Sequence, residues 1–151
     1  MIDGDDAERL AIEEVFPGLV IRMCQVHLMK TVRSQARSAF GGGKVGKRKT
    51  AAFLESFRRC QRCPVANEWD RHYERLKHDT DEIAMDGGEA RKELTEYLDK
   101  EWFGERWRLY CVDFGIPAHI TRDGPWSTNN YAEAAFRTLD RVFLSRRVNK
   151  R

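Results

Sequence analysis

The sequence predicts an α/β fold in which helices predominate. Apolar residues recur at helical spacing over most of residues 50–113, whereas only residues 19–23 form a short β-branched run that is typical of a strand. A chain of 151 residues with 41% hydrophobic residues has the size and composition of one globular domain.

The N-terminal third predicts a helix, a strand and a second helix. Asp5 followed by Glu8 has the pattern of a capping box, so a helix should begin near residue 5, and Pro17-Gly18 should end it. The strand follows that turn. A second helix should run over about residues 26–40, because three consecutive glycines at residues 41–43 stop it.

The central part predicts a helical subdomain. Two stripes of apolar residues at helical spacing begin at Phe53 and at Trp69. Asp86-Gly87-Gly88 breaks the chain, and two further helices are expected near residues 89–100 and 102–112.

Basic residues are concentrated in two segments. Residues 30–49 contain seven Lys and Arg residues and no acid, and residues 141–151 contain five more. Such segments are either solvated surface or contacts to nucleic-acid phosphates, and both interpretations are open here. No apolar run approaches the length of a membrane span, and four cysteines without an export signal predict reduced thiols in a soluble intracellular protein.

Three short motifs place chemically active residue types in a characteristic order. Asp3 precedes the first helix, Cys24-Gln25-Val26-His27 follows the strand, and Asn129-Asn130 precedes Glu133 in a last predicted helix. Taken singly, Asp3 has the position of a helix cap, and Glu133 is a first-turn acid that the helix dipole favours. In this order the motifs resemble the catalytic domain of Mutator-like (MULE-type) DNA transposases, and the resemblance covers most of residues 1–145.

The resemblance implies a truncated ribonuclease H-like core with a helical insertion. Asp3 and Glu133 would be catalytic residues and ligands of Mg²⁺ or Mn²⁺, because two divalent ions activate the attacking and leaving oxygens of a phosphodiester. The supporting residues would be Cys24, His27, Asn129 and Asn130. The family's first catalytic aspartate and most of its strands would precede Asp3. The chain is therefore expected to be the C-terminal part of the catalytic domain and to have no strand-transfer activity by itself.

The same resemblance divides the chain and indicates a partner. Residues 1–49 would belong to the core, residues 50–113 would be the helical insertion, and residues 114–151 would return to the core and end in a basic tail. The partner would be DNA, at the element termini and the target, in the nucleus. Assembly into a homo-oligomer is also open, and no membrane contact is expected. The candidate DNA contacts are Lys44, Lys47, Arg48, Lys49, Arg146 and Arg147.

Two other functions are open. A transposase-derived protein could bind DNA and regulate without catalysing strand transfer. A small zinc-binding interaction module could use Cys24-x-x-His27 with Cys60-x-x-Cys63, a spacing that suits a structural site. Because Cys60 continues the apolar stripe that begins at Phe53, we expect Cys24 and Cys60 on different packing surfaces and no zinc site.

The glycine-rich run that ends at Arg48 is a near match to a phosphate-binding loop. That motif requires Ser or Thr after its lysine, and a strand before the loop, whereas here Arg48 follows Lys47 and a helix precedes the glycines. The run is therefore expected to be a flexible basic loop.

Overall fold

The structure, a computed structural model, describes residues 5–116 and Thr138. Residues 5–116 form six α-helices: α1 Asp6–Val15, α2 Gln25–Phe40, α3 Gly43–Gln61, α4 Trp69–Ala84, α5 Glu89–Leu98 and α6 Glu105–Cys111. A 3₁₀ turn at Ala66–Glu68 precedes α4, and a π-helical turn at Asp99–Phe103 joins α5 to α6. The predominantly helical fold is thus confirmed, whereas the described residues contain no strand and give no support to a ribonuclease H-like core.

Helix α1 begins and ends where the sequence predicts. The Asp5 carboxylate accepts hydrogen bonds from the backbone N–H groups of Ala7 (2.7 Å) and Glu8 (3.2 Å), which stabilises the first turn. The helix ends at Val15, just before Pro17-Gly18. No α1 residue is fully buried, so polar contacts at its surface help to attach it. Among them, Tyr110 donates a hydrogen bond to Glu13.

The predicted strand at residues 19–23 is wrong. Leu19 and Val20 are exposed, and the chain then becomes buried and extended from Ile21 to Cys24. The backbone N–H of Met23 donates to the carbonyl of Tyr110 (3.0 Å), an isolated bridge to the end of α6. Ile21 and Met23 belong to the hydrophobic core, and no neighbouring strand pairs with the segment within residues 5–116.

Helices α2 and α3 pack against each other and are joined by a short glycine turn. Gly41 has a positive φ of 74°, a conformation that glycine adopts without a steric penalty. Gly46 is buried where α3 passes the end of α2. A Cβ atom on Gly46 would overlap the Gly41 carbonyl oxygen and would stand 3.0 Å from the Phe40 carbonyl oxygen.

The expected flexible basic loop is also wrong. Only the glycines form the turn, and α3 already begins at Gly43, so Lys44, Lys47, Arg48 and Lys49 lie on its first turns. Lysine and arginine are good helix formers and favour continuation of the helix. The basic side chains are therefore held on a regular helical frame.

One hydrophobic core connects the described helices. Leu28 and Val32 contribute from α2, and Phe53 and Phe57 from α3. The Phe57 ring stacks on Phe103 of the π-helical turn, with ring centroids 5.6 Å apart. Helix α3 continues without a break past residue 49. The predicted segments 1–49 and 50–113 therefore share this helix. The division into three segments stays a prediction.

Candidate functional site

A basic part of the described surface lies where α2 packs on α3. We call it the basic face. A cleft between the two helices, with a volume of about 230 Å³, is lined by Arg33, Arg37, Lys47, Thr50, Ala51, Leu54 and Arg58. A second groove of about 630 Å³ runs along α2 and is lined by Val26, Met29, Lys30, Arg33, Ser34 and Arg37. Arg33 and Arg37 line both and connect them into one continuous surface.

Helical periodicity accounts for the cleft. Arg33 and Arg37 are four residues apart on α2 and therefore project from one side of that helix. Lys47, Leu54 and Arg58 share a side of α3 by the same periodicity. Leu54 is buried and provides an apolar floor, while the cations stand at the rim.

Positive charge is in excess on the basic face. No Asp or Glu occurs in residues 25–54. Within residues 5–116, Arg33, Arg37 and Lys47 form no ion pair, and Arg58 has only a long one to Glu55 (3.7 Å). The positive charges therefore reinforce one another at this surface.

Helix α4 shows the opposite arrangement and serves as an internal comparison. Its cations are paired with acids one turn away, as in Arg71–Glu68 (3.2 Å), Lys77–Glu74 (2.7 Å) and Arg75–Asp79 (2.8 Å). Such pairs are usual on a solvated helix. Arg33, Arg37 and Lys47 of the cleft form no such pair within residues 5–116, which favours an anionic partner.

The predicted basic contacts divide into two groups. Lys47 lines the cleft, and Lys44 and Arg48 are exposed on the same helix. Lys49 instead donates a hydrogen bond to the backbone carbonyl of Ala84 (2.6 Å) and so links α3 to the end of α4. Arg58 and Thr50 were not predicted, because their place in the cleft depends on how α3 packs against α2.

Several predicted site residues lie outside the described residues. They are Asp3, Asn129, Asn130, Glu133, Arg146 and Arg147. The magnesium or manganese site and the basic tail stay predictions.

The Cys-x-x-His motif lies where the extended segment enters α2. Cys24 is fully buried at the N-terminus of that helix, and His27 is half-buried in its first turn. Cys60 and Cys63 are buried in the core, and burial raises the pKa of both thiols. These four residues do not bring three potential ligand atoms within 4.8 Å of one another; zinc binding by them stays untested.

A different group of potential ligands lies on α4. Ligand atoms of His78, Asp79 and Glu82 come within 4.8 Å of one another. The Asp79 carboxylate, however, already accepts a hydrogen bond from Ser56 and pairs with Arg75. These contacts explain its burial without a metal ion.

A scan against models of known protein families and searches of curated proteins and solved structures found no match to this chain. The transposase resemblance therefore depends on the order of the motifs alone. In the described part of the chain, no helix is long and apolar enough to cross a membrane.

Proposed function

We propose that this chain binds DNA and that the basic face of α2 and α3 contacts the phosphate backbone. The observation that supports this proposal is the cleft lined by Arg33, Arg37 and Lys47, cations without an ion-pair partner within residues 5–116. Cations that neutralise backbone phosphates release condensed counterions, which drives association without reading the base sequence.

We further propose that the chain is a fragment of a Mutator-like DNA transposase. Support comes from the order of Asp3, the Cys-x-x-His motif and Glu133, and from the helical region between the motifs. The intact enzyme would cleave and transfer DNA strands in the nucleus with Mg²⁺ or Mn²⁺. A regulatory transposase-derived protein without catalysis would retain the same basic face.

A paired set of variants tests DNA binding by the full chain. Arg33→Gln with Arg37→Gln removes two charges from the cleft. Arg71→Gln with Lys100→Gln removes two charges from exposed positions elsewhere. With a fluorescent 20-base-pair duplex, anisotropy should show a loss of affinity of about tenfold or more for the cleft pair and little change for the control pair. Equal losses in the two pairs would refute a localised DNA-binding face.

A second experiment tests the proposed enzyme family. The full chain and its Glu133→Gln variant are incubated with Mg²⁺ or Mn²⁺ and terminal-repeat DNA. We expect no cleavage from this chain alone. Cleavage that Glu133→Gln abolishes would overturn that expectation and support the catalytic assignment. Measurement of one tightly bound zinc per chain, lost in Cys60→Ser, would favour the zinc-binding module instead.

A further inference from the structure

Thr50 is an exception among the threonines of the described helices. Thr31, Thr80 and Thr95 each donate their hydroxyl to a backbone carbonyl three or four residues earlier, the usual partner within a helix. Thr50 is only 4% exposed, yet among the described residues its buried Oγ1 has no hydrogen-bond partner. Buried hydroxyl groups are normally paired, so the hydroxyl of Thr50 requires an explanation.

The position of Thr50 supplies that explanation. The residue lines the α2–α3 cleft together with Arg33, Arg37, Lys47 and Arg58. Thr50, whose hydroxyl has no partner among the described residues, thus lines the same cleft as four cationic residues. The cleft volume of about 230 Å³ is well above the roughly 10–15 Å³ that one water molecule needs on the same measure.

We propose that the cleft binds one phosphate group, with the Thr50 hydroxyl donating a hydrogen bond to a phosphate oxygen. Arg33 and Arg37 supply planar forks that suit bidentate contacts to phosphate, and Lys47 and Arg58 add compensating charge. The inference rests on the proposed function, in which this phosphate belongs to a DNA backbone. A free phosphate or a phosphorylated small molecule offers the same chemistry, so the test separates the sources.

Thr50→Val is the decisive variant, because valine keeps the shape of threonine and removes only the hydroxyl. Loss of an unpaired buried hydroxyl should leave the thermal midpoint unchanged or raise it. DNA affinity should fall about tenfold, since hydrogen bonds to charged groups are among the stronger ones. The slope of the logarithm of DNA affinity against the logarithm of salt concentration should stay unchanged, because the variant removes no charge. Thr50→Ser should restore most of the affinity.

Thr80→Val is the matched control. Its hydroxyl is also buried but donates to the Leu76 carbonyl (2.7 Å). This variant should lower the thermal midpoint and leave DNA affinity unchanged. If Thr50→Val leaves DNA affinity unaltered while Arg33→Gln/Arg37→Gln lowers it, the phosphate site at Thr50 is overturned. The proposed DNA binding by the basic face then still holds.

Titration with inorganic phosphate tests whether the phosphate group that the cleft binds belongs to DNA or to a free phosphate. Titration of the isotope-labelled full chain should shift the amide resonances of Thr50 and Lys47, and Thr50→Val should abolish those shifts. If phosphate binds in this way while the DNA duplex does not bind, the phosphate site in the cleft is supported and the DNA-binding function is overturned. Absence of both phosphate and DNA binding would overturn both proposals.

Discussion

Asp86 fixes the start of α5 through its carboxylate. One oxygen accepts the backbone N–H of Gly88 and the other that of Ala90, each at 3.0 Å. The hydrogen bond from Ala90 has the largest effect, and together with the one from Gly88 it holds the pKa of Asp86 below its ordinary value. The ionised form is therefore bound more favourably in the folded chain than in the unfolded one.

The sign of the pH dependence follows from that lowered pKa. Asp86 contributes its full stabilisation of the folded chain above the pKa of an unfolded aspartate, about 3.9. This stabilisation is lost as the pH falls through the lower pKa that Asp86 has in the folded chain. Urea unfolding between pH 6 and pH 2.5 should show a weaker decline of stability on the acid side for Asp86→Asn than for the native chain. Identical acid-side slopes would contradict this role.

At the scale of elements, Arg22 fastens the extended segment to the end of α6. Its guanidinium pairs with Asp113 and donates to the Val112 carbonyl, and both charged side chains are at least nine-tenths buried. Burial lowers the pKa of Arg22, and the Asp113 charge opposes that effect. A buried pair of this kind is sensitive to the loss of one partner.

Arg22→Met should therefore lower the free energy of unfolding by about 3–5 kcal/mol, because it removes one partner of a buried ion pair. Arg22→Met combined with Asp113→Leu should recover most of that loss. Urea denaturation of the two variants measures both values. If the double variant loses as much free energy of unfolding as Arg22→Met or more, electrostatic coupling between Arg22 and Asp113 is contradicted.

Gly46 sets the distance between α2 and α3, and so the shape of the cleft. An added Cβ would stand 2.7 Å from the Gly41 carbonyl carbon, which belongs to rigid backbone. Gly46→Ala should cost about 1–3 kcal/mol of stability by overpacking and should reduce DNA affinity. Gly42→Ala is the matched control, since its φ is negative and its Cβ would meet nothing within 4 Å. Equal stability of these two variants by thermal unfolding would contradict close helix packing at Gly46.

At the scale of the whole molecule, sequence reasoning located helices better than their packing. The cap at Asp5, the stop at Pro17-Gly18 and the break at Asp86-Gly87-Gly88 are local signals, and the structure has helix ends at each of them. The run at residues 19–23 misled because a buried extended peptide and a strand have the same β-branched, apolar composition.

The cleft shows a similar limit. The excess of charge in residues 30–49 is visible in the sequence, and it includes Arg33, Arg37 and Lys47. The contribution of Arg58 and the unpaired hydroxyl of Thr50 depend on the packing of α3 against α2. Neither can be inferred from charge or periodicity alone.

The salt dependence of DNA binding tests the central claim, phosphate contact by the basic face, most directly. The logarithm of the affinity of the full chain should fall linearly with the logarithm of salt concentration, with a slope of about −0.9 per phosphate contacted. Arg33→Gln/Arg37→Gln should make that slope shallower by about 1.8, whereas Arg71→Gln/Lys100→Gln should leave it unchanged. An unchanged slope in the cleft variant would contradict phosphate contact by α2.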